Sequence, residues 1–101
     1  MYEHTFFIGM NDKDTLKQEL SFEQYKKHIH DTVGDCTIQG GGLGIFTNAN
    51  NVTTEENSLQ VKVFTEKRDT TRMVNCAKKL KQLLNQESII LETKKSNSKF
   101  I

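Results

Sequence analysis

The sequence predicts a single α+β domain of the ferredoxin-like type, with the element order β-α-β-β-α-β. Two segments carry apolar residues at helical spacing, four short apolar runs fit strands, and a length of 101 residues suits one domain. Right-handed crossovers then give a four-stranded antiparallel sheet of order 4-1-3-2 with two helices on one face. We expect residues 1–93 to form this domain and residues 94–101 to be a basic, flexible tail.

The first half of the chain supplies two strands and a helix. Residues 4–9 are an aromatic run closed by glycine, which is typical of a buried strand. The next segment starts with a Ser-x-x-Gln capping box at Ser21 and ends near Gly34, and its apolar residues recur at steps of three and four: Phe22, Tyr25, Ile29 and Val33. Residues 36–46 predict a second strand, with a bulge or bend at the glycines of positions 40–42.

The second half repeats the pattern after a polar loop predicted at residues 48–57. Leu59, Val61 and Val63 alternate with polar residues, which indicates a strand with one buried face. Thr70 or Thr71 is the predicted cap of a second helix, whose apolar positions are Met73, Ala77, Leu80 and Leu84. Residues 88–93 predict the fourth strand.

The composition limits the oligomeric state and the cellular compartment that we expect. Only 35% of the residues are hydrophobic, so the core is expected to be thin, which favours a homodimer. The net charge of +1 combines an acidic first part with a basic second part. The two cysteines lie 40 residues apart, and neither a secretory signal nor an 18-residue apolar span occurs, so we expect a cytoplasmic protein with no membrane contact.

The sequence contains no motif that indicates a phosphate loop, a metal site or a nucleic-acid binding surface. The stretch GGGLG at positions 40–44 leads into a strand and lacks the lysine of a phosphate loop. His28 and His30 point to opposite sides of one helix, and the cysteines lack a metal-ligand spacing. The third strand carries one aromatic residue, which is no stacking platform for nucleic acid. The sequence therefore predicts no cofactor, no metal site, no catalytic residue and no nucleic-acid partner.

Topology instead gathers three polar segments at one end of the sheet: residues 11–19, residues 48–57 and residues 85–88. Two interpretations of the first segment stay open. Its residues are ordinary turn formers, but they also mix hydrogen-bond donors and acceptors in the manner of a polar ligand site. The candidate ligand-binding residues are Asn11, Lys13, Asp14, Thr15, Lys17, Gln18, Gln86 and Glu87.

The same segments carry a family resemblance. Residues 9–19 fit the motif G-[LM]-N-D-K-D-T-x-K-Q-E, residues 85–89 read N-Q-E-S-I, and residues 56–59 match as well. In these motifs the chain resembles a group of small uncharacterised proteins encoded by phages and Gram-positive bacteria. The resemblance implies a phage or prophage protein that acts in the host cell cytoplasm.

The preferred hypothesis from the sequence is a non-enzymatic counter-defence protein that sequesters a small polar or anionic ligand of the nucleotide type. Lys13 and Lys17 would then meet the anionic groups. One alternative is a protein-protein inhibitor that binds a host defence protein, such as an anti-CRISPR protein acting on a bacterial immune complex. A second alternative is a small dimeric α+β barrel enzyme with His4 or Glu87 as general base.

Overall fold

The computed structural model describes all 101 residues and contains two helices and four strands. In chain order these elements are β1 (Tyr2–Gly9), α1 (Phe22–Val33), β2 (Thr37–Thr47), β3 (Thr53–Thr65), α2 (Thr70–Leu83) and β4 (Ile90–Lys95). The strands form one sheet of order β2-β3-β1-β4, and every neighbouring pair is antiparallel. This is the predicted order 4-1-3-2 from the other edge, so the α+β class and the strand order are confirmed. The assignment to the ferredoxin-like type stays a prediction.

The core lies between the two helices and one face of the central strands. On that face His4, Phe6 and Ile8 of β1 lie opposite Val63, Val61 and Leu59 of β3. The helices contribute Tyr25, Ile29, Met73 and Leu80, among others, to the buried cluster, and Met10 and Leu84 join it from the segments that follow β1 and α2. Because strand side chains alternate, Phe7 and Gly9 point to the opposite face, which no helix covers. We call it the open face.

The two helices begin in different ways. At α1 the predicted capping box is present, since the Ser21 hydroxyl accepts from the Gln24 N–H and the Gln24 side chain accepts from the Ser21 N–H. The predicted threonine cap of α2 is wrong. The cap position is Asp69, which is left-handed at φ +53° and makes no side-chain capping bond. Its carboxylate instead accepts a 2.6 Å hydrogen bond from Arg72 Nε.

The largest departure from the sequence prediction is the hairpin between β2 and β3. Half of the residues predicted as a ten-residue loop belong to a strand, since β3 begins at Thr53 and only residues 48–52 connect it to β2. The last β1–β3 pair joins Gly9 to Ser58, and the β2–β3 ladder continues beyond it to the pair of Thr47 and Thr53. Residues 43–57 therefore project past the body of the sheet. We call them the arm.

Two smaller features concern β2 and β4. The predicted glycine bulge is confirmed by a register shift between Gln39 and Gly42, with Gly41 at φ +82°. Strand β4 starts two residues later than predicted and continues through Lys95, into the segment predicted to be a tail. Lys94 lies opposite Glu3 in the sheet and pairs with its carboxylate at 3.2 Å. Neither helix is long and apolar enough to cross a membrane.

Candidate functional site

A cleft of about 450 Å³ opens on the open face, at the end of the sheet where the arm begins. All four strands and all three polar segments contribute to it. The strands supply apolar walls and one carboxylate, and the polar segments supply the rim. The lining residues are Phe7, Gly9, Asn11, Asp12, Lys13, Leu16, Phe46, Thr47, Asn48, Thr54, Glu56, Gln86, Glu87, Ser88 and Ile90. A volume of this size is in the ordinary range for small-molecule sites.

Hydrogen bonds join the three polar segments, as the topology predicts. Gln86 Nε2 donates to the Asn11 carbonyl at 2.8 Å, and the Lys13 N–H donates to the Asn85 carbonyl at 2.9 Å. The Ala49 N–H at the tip of the arm donates to Glu87 Oε1 at 3.1 Å. The loop after β1, the arm and the turn before β4 therefore form one connected rim.

Four of the eight predicted ligand-binding residues line this cleft: Asn11, Lys13, Gln86 and Glu87. The other four, Asp14, Thr15, Lys17 and Gln18, do not. Their segment is organised around Asp12, whose Oδ1 accepts from the backbone N–H groups of Asp14 and Thr15. The turn is therefore built from local hydrogen bonds, and only one side of the loop faces the cleft. Its role as a ligand site stays a prediction.

Gln86 holds the rim together. Its side chain is only 5% exposed, and Nε2 donates to the carbonyls of both Asn11 and Leu84. Tyr25 packs behind it, fully buried, with its hydroxyl donating to the Met10 carbonyl at 2.9 Å. Burial raises the pKa of Tyr25 to about 12, so the hydroxyl keeps its proton. The side chains of Gln86 and Tyr25 therefore hold in place the backbone segment that carries Asn11 and the neighbouring cleft residues.

Glu56 is the residue that sequence reasoning missed. It lies on the open face of β3, where its Oε2 accepts a 2.6 Å hydrogen bond from the Asn11 N–H. Its carboxylate lies against Gly9, so closely that a side chain at that glycine would collide with it. Burial raises the pKa of Glu56 above its ordinary value, against the opposing effect of the Asn11 hydrogen bond.

A weak signal for Glu56 does exist in the sequence. Leu59, Val61 and Val63 set the inward phase of β3, and extending that alternation backwards puts Glu56 on the opposite face. The signal is weak because residues 53–57 contain no apolar residue, so the sequence predicts them to be part of the polar loop.

The charged groups in the cleft are mainly acidic. Asp12, Glu56 and Glu87 contribute carboxylates, and Lys13 is the only cationic side chain among the lining residues. The hydrogen bond from Asn85, together with two backbone N–H groups, lowers the pKa of Asp12 and keeps it ionised. Three carboxylates and one ammonium suit a ligand with a positive centre and a smaller negative group.

The other reactive side chains lie away from the cleft. His4 is fully buried on the helix-covered face. Its ring nitrogens lie 2.8 Å from the hydroxyl oxygens of Thr93 and Thr65. Both cysteines are free, and burial raises the pKa of each thiol. No cluster of three or more His, Cys, Asp or Glu side chains that could hold a metal ion occurs.

Comparison with known proteins gives one structural likeness. No protein-family model matches the chain, and no curated protein matches it. Among solved structures it is similar to a phage SAM lyase in complex with S-methyl-5'-thioadenosine, with a TM-score of 0.73 and 21% sequence identity. The match covers 92% of this chain and 79% of the lyase. At this level of identity the likeness establishes a shared α+β fold.

Proposed function

We propose that the cleft binds S-adenosylmethionine and cleaves it to S-methyl-5'-thioadenosine. The observation that carries the proposal is the cleft's charge, with three carboxylates against one ammonium group. S-Adenosylmethionine carries a sulfonium, an ammonium and a single carboxylate, so it matches this arrangement better than a phosphate-bearing nucleotide does. The fold shared with a phage SAM lyase supports the same assignment. The proposal departs from the anionic ligand and the non-enzymatic role favoured by the sequence.

Different residues of the cleft would contact different parts of the ligand. Glu56 is the most enclosed of the three carboxylates, and we assign it to the sulfonium. Lys13 on the rim would meet the ligand carboxylate. Phe7, Phe46 and Ile90 form the apolar walls on which an adenine ring would pack. The N–H group of Asn11 holds Glu56 in place and makes it a fixed acceptor.

The proposed reaction needs no external reagent. Cleavage of the bond between sulfur and the γ-carbon returns the electron pair to sulfur and leaves neutral S-methyl-5'-thioadenosine. The four-carbon fragment is completed by a bond from its own carboxylate oxygen to that carbon, which gives a neutral carboxyl ester ring and requires no proton acceptor. The contribution of the protein is therefore to hold the sulfonium ligand in a reactive geometry and to exclude water.

Liquid chromatography with mass detection tests the proposal directly. The native protein is expected to convert S-adenosylmethionine to S-methyl-5'-thioadenosine, and Glu56→Gln to lose at least ~100-fold of that rate. The matched control is Glu55→Gln, since Glu55 neighbours Glu56 but is exposed and faces the other side of β3. Ligand-induced thermal stabilisation without product would instead support sequestration. If S-adenosylmethionine neither stabilised the protein nor gave product, both the enzymatic and the sequestering role would be refuted.

The proposal keeps the phage counter-defence setting implied by the resemblance. A phage-encoded enzyme of this kind would remove a small adenine-containing molecule from the host instead of blocking a host protein. The structure offers no specific observation in favour of an anti-CRISPR type of inhibitor. For the enzyme alternative, the buried His4 cannot serve as general base in the cleft.

A further inference from the structure

The two edges of the sheet differ in how they are protected. Strand β4 is six residues long and carries Glu92, Lys94 and Lys95, which are charges of the kind that discourage edge pairing. Strand β2 is eleven residues long and contains no charged residue, and the chain contains no proline. One side of β2 pairs with β3, and its other side has no neighbouring strand.

The arm adds apolar side chains to this unprotected edge. Leu43 and Ile45 lie on the side of the sheet that the helices cover elsewhere, yet they are 65% and 64% exposed. Phe46 on the opposite side of the arm is 45% exposed, and Val52 at the tip is 42% exposed. Isolated exposed apolar residues are ordinary, but several close together on the free edge of a sheet indicate a binding surface.

We propose that the β2 edge of the arm, residues 42–47, is the surface through which copies of this chain associate. A second copy fits better than a foreign partner, because an uncharged edge meets an identical edge without repulsion and offers no charge by which to select another protein. The proposed edge, residues 42–47, is about 20 Å long. With side chains on both faces it offers on the order of a few hundred Å², so we expect a small interface, below the ~800 Å² that each partner buries in a standard one.

The glycine pattern suits backbone pairing at this edge. Gly44 separates Leu43 from Ile45 and has no side chain of its own, while the ring of Phe46 covers it from the open face. In an antiparallel pairing centred on Gly44, Leu43 of one copy lies beside Ile45 of the other. Such apolar cross-strand pairs stabilise sheets. This inference is independent of the proposed reaction, since it concerns association and not the ligand.

Analytical ultracentrifugation of three proteins tests the inference. The native protein is expected to sediment as a dimer of 11.6 kDa chains. Ile45→Lys places a charge at the centre of the edge and is expected to raise the dissociation constant at least ~100-fold, which leaves the monomer. Phe100→Lys is the matched control, because Phe100 is 67% exposed but lies in the C-terminal segment.

Leu43→Lys is a second edge variant, and melting curves check that each variant is folded. A native protein that stays monomeric up to ~100 µM would overturn the inference. An assembly that survives both Ile45→Lys and Leu43→Lys would overturn it as well. An assembly lost in Phe100→Lys but kept in Ile45→Lys would move the interface to the C-terminal segment and refute the role of the arm.

Discussion

Replacing Gly9 with alanine is expected to disable the cleft while leaving the fold intact. A Cβ atom at Gly9 would lie 2.6 Å from the carboxyl carbon of Glu56, whereas ordinary van der Waals contact begins at 3.4 Å. The carboxyl group must therefore move by at least about 0.8 Å, because its Oε1 atom lies nearer still to that position. That movement breaks its 2.6 Å hydrogen bond with the Asn11 N–H and shifts the acceptor that we assign to the sulfonium.

The sizes of the two effects differ. Loss of one hydrogen bond to a carboxylate lowers the free energy of unfolding by about 1.5–3 kcal/mol. The substitution also raises it by about 0.5–1 kcal/mol, because alanine suits a strand better than glycine. A net loss of about 1–2 kcal/mol lowers the melting temperature by roughly 4–16 °C in a domain of this size. The effect on kcat/KM is expected to be larger, because a displacement of about 1 Å in a reactive site can lower the rate ~100-fold.

Two assays separate these effects. Thermal unfolding measures the stability of Gly9→Ala, and release of S-methyl-5'-thioadenosine measures its kcat/KM. Gly40→Ala is the control, since a Cβ atom at Gly40 would meet nothing nearer than 3.5 Å, and it is expected to keep native kcat/KM. If a folded Gly9→Ala protein retained native binding and turnover, the position of the Glu56 carboxylate would not matter, and the assigned role of Glu56 would be wrong.

Three further predictions concern stability. Because burial raises the pKa of Glu56 above 4.5, its contribution to stability is full below pH 4.5 and is lost as the pH rises through the folded-state pKa. Glu56→Gln is therefore expected to match the native melting temperature near pH 4 and exceed it at pH 7; a lower value at pH 7 would contradict this. Tyr25→Phe removes the donor to the Met10 carbonyl and is expected to cost about 1–3 kcal/mol in urea titrations, without loss of secondary structure by circular dichroism. Leu80→Ala empties a fully buried position and is expected to cost about 2–5 kcal/mol in the same titrations; a cost below 1 kcal/mol would argue against the described core.

The body of the fold follows from short-range patterns in the sequence. The capping box at Ser21 and the apolar spacing through Val33 define α1 correctly, and the alternation from Leu59 to Val63 defines the inward face of β3. Such patterns arise where an element packs against the core. The strand order then follows from the handedness of the crossovers.

The arm could not be predicted in this way. Residues 53–57 are Thr, Thr, Glu, Glu and Asn, which carry no apolar periodicity because no helix packs on them. Their strand conformation depends on pairing with residues 43–47 across the hairpin. The burial of His4 could not be predicted for a related reason, since its partners Thr65 and Thr93 lie 61 and 89 residues away in the sequence.

The candidate site was half predictable. Asn11, Lys13, Gln86 and Glu87 belong to polar segments that topology brings together, so the sequence identifies the rim. The floor is made by Glu56 and by strand residues of the open face, and the sequence does not distinguish an open face that holds a cleft from one that merely meets solvent.

The division of the cleft between the arm and the body of the sheet affects how the protein can evolve. Phe46, Thr47 and Thr54 stand on the arm, where substitutions disturb no packed core and typically change stability by no more than about 0.5 kcal/mol. Phe7 and Gly9 belong to β1, whose alternate residues form the centre of the core. Substitutions in the arm can therefore change the ligand preference while the cleft residues of β1 stay the same. Related chains should differ in the cleft residues of the arm before they differ in those of β1.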